Sequence, residues 1–389
     1  MAENLIDKIR AVSDQMGVTV TGLPETIEIR PGALSLAPPF IREKGWRSPL
    51  LVADSHTFAA AGERLEALFD EEGISVAVTL VLPNEQGDVI ADEASVVQVL
   101  LALQGNKSDV VVVAGSGTLT DIARYAAYTA GLPFVSVPTA PSVDGFTSSG
   151  SPLIIRGNKL TIRVVGPAAI FADTNILKAA PAPMIAAGFG DMLGKYTALF
   201  DWKFGRITAE EPYSPEIAGL TESALLACVS HVKEIGERTE EGIRILTEAL
   251  MESGLAIQLF GQSHPASAAE HHLSHYWEME YIRTGRRQLL HGAKVGVACA
   301  EISALYHEIA ARPEIRNDAK WDQIRKEIDR VPGPDEIRAL LRAVHGPSTI
   351  EELGVSGDLL RRSLEEAHVI RSNRHTLLRA RNEGGLNLQ

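Results

Sequence analysis

Three segments of this 389-residue chain carry side chains whose types and spacing could do chemistry. The first, Gly115-Ser116-Gly117-Thr118-Leu119-Thr120-Asp121, sets a glycine pair between an apolar run and a helical pattern. Glycine lets a backbone approach phosphate oxygens closely, and a helix N-terminus supplies free N–H groups and a positive dipole end. The second is Pro138-Thr139-Ala140-Pro141-Ser142-Val143-Asp144-Gly145, in which two prolines fix the backbone and hydroxyls can face a ligand. The third is spread along the chain: Asp191 in Gly188-Phe189-Gly190-Asp191-Met192-Leu193-Gly194-Lys195, His271 in Glu270-His271-His272-Leu273-Ser274-His275, and His291 in His291-Gly292-Ala293-Lys294. One carboxylate and two imidazoles can hold a divalent metal and leave positions open for water or substrate. Such a metal polarises a carbonyl and stabilises the alkoxide that forms as hydride adds, so the three segments together point to metal-assisted nicotinamide chemistry.

Each segment has a blander reading. Gly115 and Gly117 could make a tight strand-to-helix turn and nothing more, and the pair departs from the usual dinucleotide fingerprint, which follows the first strand and has a third glycine. Asp54, at the end of Leu51-Val52-Ala53, could accept hydrogen bonds from an adenosine ribose or, with Ser55, cap the next helix. The proline-rich loop could be a polar turn. His264, His271, His272 and His275 crowd one stretch and could be incidental. His271 and His275 share a helical face, whereas His272 points about 100° away.

These residues need elements to position them. Pro49–Asp54, Val76–Leu82, Asp109–Ala114 and Phe134–Pro138 read as strands, with helices over Thr57–Glu72, Val96–Leu103 and Thr118–Ala130. Asp109–Ala114 is apolar almost throughout, as strands covered on both faces are. The alternation predicts an α/β fold with a parallel sheet. Arg156 to Asp173 reads as two further strands around Arg156-Gly157-Asn158-Lys159. Beyond Pro181-Ala182-Pro183 long helical patterns dominate: Ser214–Arg238, Glu240–Gly254, Ala266–Gly285 and Lys294–Ala311. The boundary falls near 175–185, giving a nucleotide-binding domain over 1–180 and a helical domain over 181–389. From Asp318 the chain carries charged amphipathic helices without evident chemistry, and Arg371 to Arg381 reads as a solvated helix face.

Composition narrows the function classes. A net charge of −13 disfavours nucleic acid and anionic membrane as partners, although a few local cations can still receive an anionic small substrate. Two cysteines, Cys228 and Cys299, are too few for a disulfide framework and suit a reducing cytoplasm. The N-terminal residues lack the pattern of a secretory leader, and no apolar stretch approaches the ~20 residues of a membrane span.

In order and as a set, these motifs resemble those of the sn-glycerol-1-phosphate dehydrogenases, the bacterial branch in particular. That family lies within the superfamily of iron-containing alcohol dehydrogenases and dehydroquinate synthases. The likeness runs from about residue 50 to 305 and is only general beyond it. It implies a Rossmann-like parallel-sheet domain followed by an all-α metal- and substrate-binding domain. The activity it implies is reversible reduction of dihydroxyacetone phosphate to sn-glycerol 1-phosphate with NADH or NADPH. Carried over position by position, Gly117, Thr118, Leu119, Thr120 and Asp121 line the cofactor with Thr139, Ala140, Pro141 and Ser142, and Ser148 touches it. Asp144 and His275 contact the substrate as catalytic groups. Asp191, His271 and His291 hold zinc or nickel, with Asp191 also close to substrate. A homo-oligomer, a dimer foremost, and a place in phospholipid biosynthesis follow from the same likeness. Ser116, Val143 and Phe146 stand where many members have glycine, methionine and tyrosine. Arg163, Lys159, Lys195 and Lys294 are candidates to meet the phosphate. The competing readings are a glycerol or other polyol dehydrogenase, a dehydroquinate synthase-like lyase, and a degenerate member that only binds.

Overall fold

The computed structural model describes residues 5–312, 319–371 and 373–384. Met1 to Asn4, part of the stretch read as free of a leader, and Asp318 lie outside them. Packing divides the chain into two compact units, 1–181 with 238–258 and 182–237 with 259–389.

The first unit runs α1 (Leu5–Met16), β1 (Thr26–Arg30), α2 (Ala37–Glu43), β2 (Pro49–Ala53), α3 (Ser55–Thr57), α4 (Glu63–Glu71), β3 (Ala77–Leu80), α5 (Glu93–Asn106), β4 (Val110–Ala114), α6 (Gly117–Ala130), β5 (Phe134–Val137), β6 (Gly150–Ile155), β7 (Asn158–Arg163), β8 (Ala169–Asp173) and α7 (Thr174–Ala179). Six strands form a parallel sheet in the order β1-β8-β5-β4-β2-β3. The fold is Rossmann-like α/β, as the alternation predicts. β2 and β4 are wholly buried, and each valine so placed contributes about 1.5 kcal/mol or more over an exposed one. From β2 the chain moves outward to β3, then returns on the other flank of β2 as β4. The carboxyl ends of β2 and β4 are therefore a topological switch point, where open parallel sheets take their ligands.

Two local readings need correction. The turn at Arg156-Gly157, both left-handed, joins β6 to β7, so the first arm of that hairpin lies upstream of Arg156. β1 had no counterpart in the sequence reading; Thr-Ile-Glu-Ile-Arg alternates on a sheet edge and makes no apolar run.

The chain continues through α8 (Ala182–Leu193), α9 (Lys195–Ala209), α10 (Pro215–Ser230), α11 (Val232–Gly236), α12 (Glu240–Phe260), α13 (Ala269–Arg283), α14 (His291–Ala310), α15 (Ala319–Ile328), α16 (Pro334–Ala343), α17 (Ile350–Leu353), α18 (Gly357–Glu366) and α19 (Leu377–Asn382). The second domain, read as 181–389, loses most of α12 to the first unit. The cause is close contact: a Cβ on Gly254 would lie 2.2 Å from Thr147 Oγ1 and 2.4 Å from the Asp144 carbonyl oxygen. Thr147 donates to the Met251 carbonyl at 2.8 Å, and Lys8 pairs with Glu252 at 2.5 Å.

The second unit closes on an apolar core around Trp277, Tyr281, Val297, Ile302 and Tyr306. Its basic end is not a solvated helix face. Ala367–Arg371 is a 3-10 turn, α19 begins only at Leu377, and Arg374 is 2% exposed. Leu377 and Leu378 enter the core and carry the neighbouring arginine inward with them. Among the described residues no helix is long and apolar enough to cross a membrane.

Candidate active site

In the first unit the glycine loop sits at the carboxyl end of β4. Gly115 N–H bonds the Val137 carbonyl and Thr139 N–H bonds the Gly115 carbonyl, which ties this loop to the one leaving β5. A Cβ on Gly115 would lie 2.6 Å from Leu119 Cβ, and one on Gly117 2.9 Å from Val143 Cγ2. Ser116 is the N-cap of α6 yet makes no side-chain cap; its hydroxyl bonds that of Ser142 instead. The first turn of α6 is thus left without a side-chain acceptor, which suits a phosphate.

The expected cofactor residues divide by placement. Gly117 and the exposed Thr118 open the helix, and Thr139, Ala140, Pro141 and Ser142 lie in the adjoining loop. The Leu119 side chain packs in the core, so only its backbone can serve a ligand. Thr120 is buried, and its hydroxyl has no hydrogen-bond partner among the described residues. Burial lifts the Asp121 carboxyl to about 7, against the pull of Arg124 and Lys159. Asp54 caps α3 through its own partner Thr57, not Ser55: Thr57 N–H donates to Oδ1 at 2.8 Å, and Thr57 Oγ1 accepts from the Asp54 N–H at 2.9 Å.

Arg124 was not anticipated. Fully buried, it donates to the Gly145 and Phe146 carbonyls at 2.6 and 3.1 Å, to Gly150 O, and to Ser148 Oγ at 3.4 Å. It thereby shapes the loop bearing Asp144 and Ser148, and Ser253 Oγ donates to Asp144 Oδ2 at 2.9 Å. An arginine alone in the apolar stretch Ile122-Ala123-Arg124-Tyr125-Ala126 was the available signal.

In the second unit, Asp191 near the end of α8, His271 on α13 and His291 at the start of α14 converge, with one ligand atom from each lying within 4.8 Å of the others. Glycines make this possible. A Cβ on Gly292 would fall 1.9 Å from the Ala187 carbonyl oxygen, and one on Gly190 2.4 Å from the Gly292 carbonyl oxygen. The α8 and α14 backbones touch there, which brings Asp191 and His291 together.

The donor chemistry fits a cation. His271 Nδ1 lies 2.7 Å from Glu270 Oε1, and Glu270 also accepts the Ala268 N–H and the Thr197 hydroxyl. Burial alone would lift the Glu270 carboxyl, but the hydrogen bonds from His271, Ala268 and Thr197 hold it at about 2. A carboxylate can only accept, so His271 donates from Nδ1 and turns the Nε2 lone pair towards Asp191 Oδ1, 3.7 Å away. Two buried acceptors facing each other call for a positive charge between them. Lys195, itself wholly buried, supplies one from the side at 3.1 Å from Asp191 Oδ1.

His275 joins through its ring, 6.0 Å from that of His291 and 6.2 Å from that of His271. Glu278, which the sequence reading passed over, forms a second close group with His275 and His291 and pairs with Lys294 at 3.1 Å. His271, His275 and Glu278 follow the i, i+4, i+7 spacing of one helical stripe, so the signal was present. Glu270 carried none, because its partner is its own neighbour. His272 joins neither group. Of the phosphate candidates, Lys195 and Lys294 are committed to Asp191 and Glu278, while Lys159 and Arg163 lie on the β6–β7 hairpin of the first unit.

Residues 28–181 match the family described as iron-containing alcohol dehydrogenase. A glycerol-1-phosphate dehydrogenase [NAD(P)+] of Geobacillus stearothermophilus is 48% identical over 359 residues, covering 88% of this chain and 89% of its own. The chain belongs to the glycerol-1-phosphate dehydrogenase family. A second member, from Geobacillus thermodenitrificans, is 45% identical over 374 residues, 92% of each chain. At the level of fold alone, a probable glycerol dehydrogenase from Sinorhizobium meliloti superposes with a TM-score of 0.67 at 18% identity, covering 94% of this chain and 97% of the other.

Proposed function

We propose that this protein reduces dihydroxyacetone phosphate reversibly to sn-glycerol 1-phosphate with NADH or NADPH, assisted by a divalent metal. The convergence of Asp191, His271 and His291 carries the reading, supported by the family of the chain. These three residues would hold zinc or nickel, and the loops around Gly117 and Ser142 the nucleotide. When bound, the ion supplies Lewis acidity to the ketone oxygen and the reduced nicotinamide supplies hydride.

The chain's own residues do the rest. Glu270 keeps His271 in the tautomer that presents Nε2. Lys195 offsets part of the Asp191 charge, so the site does not repel an anionic substrate as strongly as a bare carboxylate would. His275, beside His291, is assigned the proton that completes the alcohol. Asp144, oriented by Ser253, is assigned to substrate contact. A cytoplasmic homodimer serving phospholipid synthesis completes the proposal.

The test is NADH oxidation with dihydroxyacetone phosphate against dihydroxyacetone, before and after chelation, with zinc or nickel restored. Phosphate-dependent, chelator-sensitive oxidation is expected. Preference for the unphosphorylated ketone would move the protein to the polyol dehydrogenases, and no oxidation of either would sink the proposal.

A further inference from the structure

The second unit also contains a group of donors that the proposed mechanism does not use. Arg371, at the end of the 3-10 turn, donates to Ser263 Oγ at 2.9 Å and Ser267 Oγ at 2.8 Å. Arg374 donates from one nitrogen to the Ser267 carbonyl at 3.0 Å; its Nε and Nη2 have no hydrogen-bond partner among the described residues. The same holds for both ring nitrogens of His272, which is 0% exposed, and for Nδ1 of His264, which is 3% exposed. Both arginines reach Ser267, one at its hydroxyl and the other at its carbonyl. Both histidines feel both arginines, and burial together with Arg374 brings Arg371 down to about 10.

Three carboxylates act on Arg374 through space, Glu211, Asp201 and Glu270, but none hydrogen-bonds its orphaned nitrogens. Asp201 is saturated by Tyr306 and the Ala269 and Leu377 amides, and Glu270 by His271, Ala268 and Thr197. Of these three acids Glu211 has an oxygen, Oε2, without a hydrogen bond among the described residues, 3.7 Å from His264 Nε2. Buried donors without acceptors are costly, and more so when charged. A structural clamp explains the arginine contacts to Ser263 and Ser267 but not the orphaned nitrogens.

We propose that Arg371, Arg374, His264, His272, Ser263 and Ser267 form an oxyanion site for the phosphate group of a phosphate monoester. Resting on the function proposed above, that group is the phosphate of the triose substrate; free inorganic phosphate presents the same chemistry. The three terminal oxygens and double charge of a phosphate monoester offer more acceptor positions, in three dimensions, than the two oxygens of a planar carboxylate. The site is electrostatically linked to the metal ligands, because Glu270, which holds His271, feels both Arg371 and Arg374.

The test begins with the unaltered zinc-loaded protein, melted in inorganic phosphate and in chloride of equal ionic strength. Phosphate should raise Tm above chloride, and Arg371→Met should remove that rise while Arg371→Lys retains part of it. In turnover, Arg371→Met should raise KM for dihydroxyacetone phosphate by about 10- to 100-fold, as expected for hydrogen bonds to a charged group, and affect dihydroxyacetone at least about tenfold less. Both results together identify the substrate's phosphate as the occupant. Loss of the Tm rise with KM unmoved also supports the site but assigns it to free phosphate. No Tm rise in the unaltered protein, or a rise that survives Arg371→Met, overturns the proposal. The melting arm needs no turnover, so it stands even if dihydroxyacetone proves the better substrate and the proposed function falls.

Discussion

The glycine loop after β4 and the ligand cluster of α8, α13 and α14 both depend on glycine, but the glycines face different neighbours. At Gly115 and Gly117 an added Cβ would meet the side chains of Leu119 and Val143. At Gly190 and Gly292 it would meet carbonyl oxygens of the backbone. Side chains can turn aside and helix backbones cannot, so the first contact can adapt while the second is fixed. Polarity differs as well. The loop presents helix amides without a side-chain cap and so waits for an anion, whereas Asp191 and His271 oppose two acceptors and so wait for a cation. The chemistry each region lacks names the ligand it can take.

The largest expected effect tests the cation side. His271→Ala should lose stoichiometric metal by elemental analysis and turnover by at least about 1000-fold, the scale of Lewis-acid assistance. Nucleotide affinity should stay put; a parallel loss would erase the contrast. Next is Glu270→Gln, which leaves all three ligands but frees the His271 tautomer. Metal affinity by chelator competition should fall about 10- to 100-fold. An unchanged affinity would make Glu270 a packing residue.

The loop gives smaller effects. Gly117→Ala should weaken nucleotide binding about tenfold, roughly 1.4 kcal/mol, with metal content unaltered. Adding Val143→Ala removes the clash 2.9 Å away. If titration shows affinity restored in the double variant, Gly117 serves packing and not ligand approach. The smallest effect concerns Asp121, whose folded carboxyl lies near 7 against an ordinary 3.8 because burial disfavours its charge. Ionisation therefore costs stability in the fold: nothing below 3.8, increasing up to 7, and constant above. Asp121→Asn removes that cost, so the melting advantage of the variant over the parent, without nucleotide, should grow as pH rises through this window. A flat or falling difference would show the carboxylate to be solvated.

How much was legible in the sequence follows from how local each cause is. β2, β4 and β5 are apolar runs and announce themselves, whereas β1 alternates and does not. Asp191, His271 and His291 could be nominated as metal ligands, but their convergence depends on Gly190 and Gly292, whose contact joins helices a hundred residues apart. Glu270 and Arg124 act through hydrogen bonds that no spacing encodes. Arg374 was misread because an arginine among charged neighbours looks solvated, and only the burial of Leu377 and Leu378 reveals where the segment goes.

One feature of the first unit bears on how the protein is made. Its last piece, 238–258, is translated after 56 residues that belong to the other unit, 182–237. A nascent chain stopped at residue 181 carries the whole sheet and Arg124 but lacks Met251, Ser253 and Gly254, which Thr147 and Asp144 contact on α12. The loop bearing Asp144 is held by Arg124 from the start but gains its α12 contacts only once synthesis has passed Gly254. A gene cut between the two units would separate neither cleanly, and a recombination at residue 181 would inherit a sheet without its fastening.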